Sequence, residues 1–180
     1  MIIIEGPDGA GKSRLAARLA DDLNLPIHER ASTSVGGPVA NLWDWTVRDV
    51  TSWDTQPLAI YDRHPLISEY IYGPITRGKL TDGFTHPSAR GMINRMAHQA
   101  LVIFCSTDLY RVRQNVTDPS LPQMDGVVTQ IDVIWAAYRA AQSNWNGWSV
   151  TYDYMIPAGK NSYEAARRSA RLHLAAQTGR

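Results

Sequence analysis

Eight consecutive residues, Gly6-Pro7-Asp8-Gly9-Ala10-Gly11-Lys12-Ser13, restrict what this chain can fold into more than any other feature. They follow a short apolar run, Ile2 to Glu5, and precede Leu15, Leu19 and Leu23 at four-residue spacing, flanked by Ala16 and Ala20. A strand, a glycine-rich turn and an amphipathic helix form the context in which the pattern G-x-x-x-x-G-K-S/T carries a mechanism. Glycines at 6, 9 and 11 let the backbone aim its N–H groups at phosphate oxygens, and the positive end of the following helix adds to that field. Lys12 is placed to reach β and γ phosphates as a point charge, and the Ser13 hydroxyl to hold a divalent cation, so ATP and Mg2+ are the expected cofactors. The expected nucleotide-binding set is Gly9, Ala10, Gly11, Lys12, Ser13 and Arg14.

The rest of the chain alternates in the same way. Apolar runs at Pro57 to Asp62, Ala100 to Ser106 and Trp148 to Tyr154 read as buried strands, with a weaker candidate at Leu25 to His28. Between them lie helical patterns. One places Val39, Leu42, Trp43, Thr46, Val47, Val50 and Trp53 on one side, with Asp44, Arg48 and Asp49 elsewhere. Another carries Val128, Ile131, Trp135 and Tyr138, and Asn161 followed by Glu164 resembles a capping box that opens the last helix. Strands apolar enough to be covered on both faces predict a mostly parallel sheet between helices.

With 180 residues and 44% apolar composition the chain can build one sizeable core, and a single domain over 1–180 is expected. Its 18 basic and 17 acidic residues leave a net charge of +1, which argues against avid, nonspecific nucleic-acid binding without excluding a local basic groove. The lone Cys105 cannot form an intramolecular disulfide and reads as a small buried hydrophobe. No apolar run approaches the length of about 20 residues that a membrane span needs, so a cytoplasmic protein with no membrane partner is expected.

Two further features concern the acceptor of a phosphoryl group. A carboxylate among phosphate-binding amides is repelled by phosphates unless it points away, so Asp8 is expected on the acceptor side, against a sugar, a base or a magnesium-bound water. Tyr61-Asp62-Arg63-His64-Pro65 closes the Pro57 to Asp62 strand, and strand ends carry sites in such sheets. There Asp62 is suited to accept a proton from an attacking hydroxyl or to hold magnesium, and Arg63 to clamp phosphate oxygens. An Asp62–Arg63 ion pair capping the next helix is the alternative. Tyr70, Tyr72 and Trp43 are candidates to stack on a base, although aromatics in a stripe also serve the core. The five histidines show no metal-ligand spacing.

GPDGAGKS together with YDRHPLISEYIYG resembles the thymidylate kinase and deoxynucleoside kinase group of P-loop kinases, over most of the chain. The resemblance implies ATP- and Mg-dependent transfer to a nucleoside or nucleoside monophosphate. It also implies a three-layer α/β/α fold whose five-stranded parallel sheet has the order 2-3-1-4-5. Asp8 and Arg63 would face the acceptor, joined by Tyr72 and by Arg30 after the second candidate strand. An arginine-bearing lid is implied after the fourth strand, around 108–125, with Arg111 and Arg113 as its catalytic candidates and Asn115 to Asp125, containing Pro119 and Pro122, as its flexible part. His64 departs from the group, which commonly has an aromatic there.

Other readings stay open at this level. One is a kinase for a hydroxymethylated pyrimidine or an end in DNA, of the kind small phage kinases exemplify, which would require a basic groove at Arg77, Lys79, Arg90 and Arg95. Another is a regulatory P-loop NTPase that uses Asp62 to position water and magnesium. The sequence also leaves a homodimer open.

Overall fold

The computed structural model describes residues 1–32, 37–118, 120 and 123–178. Strand β1 (Ile2–Glu5) leads through the glycine loop into α1 (Lys12–Leu23). Then come α2 (Leu42–Ser52), β2 (Ile60–Asp62), α3 (Pro65–Arg77), α4 (Pro87–Gln99) and β3 (Leu101–Cys105). The chain ends with α5 (Leu109–Val116), α6 (Val127–Ser143), β4 (Ser149–Tyr152) and α7 (Tyr163–Thr178).

The strands pair in parallel in the order β2-β1-β3-β4, with Ile3 opposite Tyr61 on one side and Val102 on the other. Residues of a strand alternate between faces, and β1 and β3 are buried throughout, so both faces of the sheet centre are covered. Helix α1 packs on β1 and β2, and α7 on β3, β4 and α1. On the other side α3 packs against α6, α4 and α2, and α6 against α5.

Four strands are found among the described residues, where five were expected. Leu25 to His28 contributes a single parallel bridge, Ile27 to Ile60. The Ile60 N–H donates to the Pro26 carbonyl at 2.9 Å and the His28 N–H to the Ile60 carbonyl at 2.8 Å. Pro26 has no N–H with which to extend the ladder. The segment therefore lies beside β2, where the expected order put it, without becoming a strand. The four remaining strands keep their expected relative order.

Two local expectations also change. The stripe on α2 predicts Asp49 off the buried face, yet Asp49 is 7% exposed because Trp53, Tyr61 and His64 all bond to it. The cap of α7 is Ser162, whose Oγ accepts from the Ala165 N–H at 3.4 Å, whereas Asn161 takes a left-handed φ of 72°.

Crossing from strand to helix in so few residues requires Gly6. Its φ is 146°, and a Cβ there would meet the Cys105 carbonyl oxygen of β3 at 2.6 Å. Backbone oxygen cannot move aside without breaking the β1–β3 ladder. Gly6→Ala is therefore expected to lower unfolding stability by about 2 kcal/mol or more, measured by urea titration. An unchanged midpoint would contradict this packing.

Candidate active site

The loop ends in a helix start that carries no acidic side chain. Helix α1 begins at Gly11 with no side-chain cap and no acidic residue in its first turn, which instead carries Lys12, Ser13 and Arg14. Cations at the positive end of a helix are unfavourable until an anion joins them, so this turn is built to receive phosphate. Lys12 is buried and its Nζ donates to the Pro7 carbonyl at 2.7 Å. Burial, and then the charge of Arg63, lower its pKa to about 8 against the pull of Asp8 and Asp62.

The outer wall of the loop comes from α5. Asn115 Nδ2 donates to the Gly9 carbonyl at 2.7 Å and to the Tyr154 hydroxyl at 3.0 Å. A Cβ on Gly9 would come within 2.9 Å of the Asn115 Cβ, which explains why this close approach needs glycine. Asn115 thus belongs to a helix that braces the loop, not to the flexible part of a lid. Pro119 and Pro122, assigned to that flexible part, lie outside the described residues.

Asp8 belongs to a three-residue cluster with Arg63 and Tyr72. Its Oδ1 accepts from Arg63 Nη2 and its Oδ2 from the Tyr72 hydroxyl, both at 2.7 Å, and the same hydroxyl accepts from Arg63 Nη2 at 2.7 Å. The guanidinium also sits 4.7 Å from the centre of the Tyr72 ring. Burial opposes a charge on Asp8, but Arg63 and Lys12 outweigh it and hold the carboxyl at about 2. With one oxygen committed to Arg63 and the other to Tyr72, this carboxylate serves to fix Arg63. The backbone of Arg63 has a φ of 75°, a strained conformation for a non-glycine residue, and its Nε is buried with no partner among the described residues.

That conformation is held from behind. The Arg63 N–H donates to the Ile4 carbonyl and the His64 N–H to Glu5 Oε1 at 2.7 Å. The Leu66 N–H donates to His64 Nδ1 at 3.2 Å, so the ring proton lies on Nε2 and points to Asp49 Oδ2 at 3.1 Å. Burial pulls the His64 pKa down against Asp49, while hydrogen bonds from His64, Trp53 and Tyr61 keep Asp49 a carboxylate despite its own burial. His28 stacks on Tyr61 with ring centres 4.4 Å apart. Asp49, His64 and Glu5 are positioning residues that sequence reasoning passed over. A signal was present: a charged residue inside a tryptophan-rich stripe, three positions from Ser52 and four from Trp53.

Asp62 and Arg63 do not pair with each other, which removes the helix-capping alternative. Asp62 Oδ2 instead pairs with Arg30, and the same Arg30 Nη2 donates to Ser13 Oγ at 2.7 Å. Asp62 Oδ1 is buried with no partner among the described residues. Burial opposes ionisation of Asp62, but Lys12, Arg30 and the Ser13 hydroxyl keep it a carboxylate. A hydroxyl and a carboxylate that share one cationic partner, with an unserved carboxylate oxygen beside them, fit a hard divalent cation completed by phosphates and water.

Of the two lid candidates, Arg113 forms an ion pair with Asp132 of α6. Arg111 stands one helical turn before Asn115, on the side of α5 that meets the loop, and its polar contact is with Gln114 in the same helix at 3.2 Å. The Asp108 end is a helix cap, with Oδ1 accepting from the Tyr110 N–H. Tyr70 donates to the Phe84 carbonyl and Trp43 packs on Phe84, so these two aromatics hold the 78–86 loop.

No family model matches the chain, and no curated protein matches it in sequence. Solved structures do. The YorR protein of Bacillus subtilis, in complex with phosphorylated GDP, is similar at a TM-score of 0.67 and 19% identity, covering 99% of this chain and 98% of that one. Deoxyadenosine kinase from M. mycoides with the products dCMP and dCDP gives 0.56 and 11% identity, over 97% and 98% of the two chains. The same enzyme with bound dCTP gives 0.53 and 12%, over 100% of both. The chain shares its overall fold with these structures. A fold of this kind hosts several chemistries, so function rests on the site.

Glu5 offers a test of the buried frame. Burial raises its pKa from 4.5 to about 7, offset in part by the His64 N–H, Arg63 and Tyr138. A raised folded-state pKa means that its stabilising contribution is complete below the unfolded value and is lost as pH rises through the folded one. Glu5→Gln keeps the shape and cannot ionise. Wild-type stability relative to this variant should fall by roughly 3 kcal/mol between about pH 4 and about pH 8. Parallel pH profiles in urea unfolding would contradict it.

Proposed function

We propose that this protein transfers the γ-phosphoryl group of ATP to a nucleoside or nucleoside monophosphate. The observation that carries the reading is the Asp8–Arg63–Tyr72 cluster. It ties the phosphate-binding loop to an arginine that has an unpaired buried Nε, suited to an oxygen of an acceptor. A loop made only for hydrolysis has no need of an acidic residue committed to an arginine and a tyrosine. The kinase fold supports the reading as analogy.

In this mechanism the loop N–H groups and the start of α1 bind the donor phosphates, and Lys12 leaves the Pro7 carbonyl for them. Ser13 and Asp62 would hold magnesium, which when bound supplies charge that offsets the phosphate oxygens. Asp62 Oδ1, buried with no partner among the described residues, would receive a proton from the acceptor or from bound water. Arg63 and Tyr72 orient the acceptor. Arg111 lies nearer the loop than Arg113 on the helical wheel and is the arginine to reach the transferred group.

The DNA-acceptor reading finds little support in the basic residues it requires. Arg77 is paired with Glu69 at 2.6 Å and Arg95 with Asp54 at 2.8 Å, so two of its four cations already have acidic partners.

Two measurements test the proposal. With labelled ATP and a panel of nucleosides, monophosphates and plain or hydroxymethylated DNA, label should appear on a nucleoside or monophosphate. Label on polynucleotide alone, or release as phosphate at a rate indifferent to acceptors, would overturn it. Arg111→Ala should lower kcat by about a hundredfold and Arg113→Ala by no more than about threefold. Equal losses would remove the distinction.

A further inference from the structure

Arg30 does something that acceptor binding does not explain. A single nitrogen, Nη2, bonds both Ser13 Oγ and Asp62 Oδ2, the two groups that would hold the divalent cation. A guanidinium cannot lose its proton in a protein, so it can yield these oxygens only by leaving. It also serves them incompletely, since Asp62 Oδ1 is buried with no partner among the described residues. Departure is structurally cheap: Arg30 is half exposed, and the segment leading to it is anchored at Ile27 and His28, by the Ile60 bridge and the stack on Tyr61, so the Arg30 side chain can swing without moving the sheet.

On the reading that Ser13 and Asp62 hold the metal, we infer that Arg30 is a stand-in cation that the metal must displace. The guanidinium neutralises Asp62 and keeps Ser13 aimed at it when no metal is bound. Metal and Arg30 compete for the same two oxygens, so metal affinity is set below what those oxygens alone provide. Once expelled, the guanidinium is a positive charge released beside the end of β2. The same displacement that completes the donor site thus supplies a cation for the next anion to arrive. Arg30 is a positioning residue in this scheme, and its effect belongs to binding of the metal before any chemistry.

The test uses Mn2+ as the probe, followed by the electron paramagnetic resonance of the free ion, with the full chain and no nucleotide. Arg30→Gln should bind Mn2+ about tenfold more tightly than wild type, as expected from removing one hydrogen bond to a charged group. Arg30→Met should do the same, and Arg30→Lys should lie between. Adding Asp62→Asn to Arg30→Gln should abolish the gain. If Arg30→Gln and Arg30→Met bind Mn2+ no more tightly than wild type while Asp62→Asn still weakens binding, the stand-in role is wrong and the metal site stands. If Asp62→Asn leaves Mn2+ binding unchanged, or if no variant binds the ion, the metal site itself is wrong and the inference falls with it.

Discussion

The ion pair between Asp8 and Arg63 is the constraint around which the site is organised. It joins two strand ends, one continuing into the glycine loop and the other into α3, at a point where the Arg63 backbone adopts a φ of 75°. Such strain persists only when neighbours over-determine it. Here they do: the Ile4 carbonyl holds the Arg63 N–H, Glu5 holds the His64 N–H, and the buried Asp49 holds the His64 ring. Charge, strain and burial therefore act together, and the guanidinium is directed to one place relative to the phosphate cradle.

The cost of this arrangement is visible in the groups that support it. Glu5 sits fully buried at the end of β1, and Asp49 is surrounded by aromatic rings. Buried carboxylates destabilise a fold unless their oxygens are hydrogen-bonded, and both are. Neither is needed to make a core. Both are explained by the need to fix the Asp62-Arg63-His64 turn, which is why an apolar stripe on α2 includes an acid.

Much of the fold and part of the site were legible in the sequence because local patterns carried them. Strand, glycine loop and helix announced Gly6 to Ser13, and the apolar runs announced the strands that form the sheet. The Leu25 to His28 strand failed because Pro26 removes a ladder donor, an effect that apolar content does not register. Asp8, Arg63 and Tyr72 were named as candidates, and the structure brings them together. Arg30 was placed with the acceptor, whereas its contacts are with Ser13 and Asp62. Asn115 was read as flexible because it precedes two prolines, yet it belongs to α5 and grips Gly9 across 106 positions of sequence. Contacts at that separation, like those of Asp49 and Glu5, come from tertiary packing and leave no periodic trace.

The central claim is that one loop serves both partners of a transfer, with its amides on the donor side and Asp8 on the acceptor side. The direct measurement is equilibrium binding of a non-hydrolysable ATP analogue alongside acceptor KM in Asp8→Asn. The account predicts analogue affinity within about threefold of wild type and an acceptor KM raised by about tenfold or more, as expected when an ion pair that aims Arg63 is lost. Loss of analogue binding with an unchanged acceptor KM would contradict it.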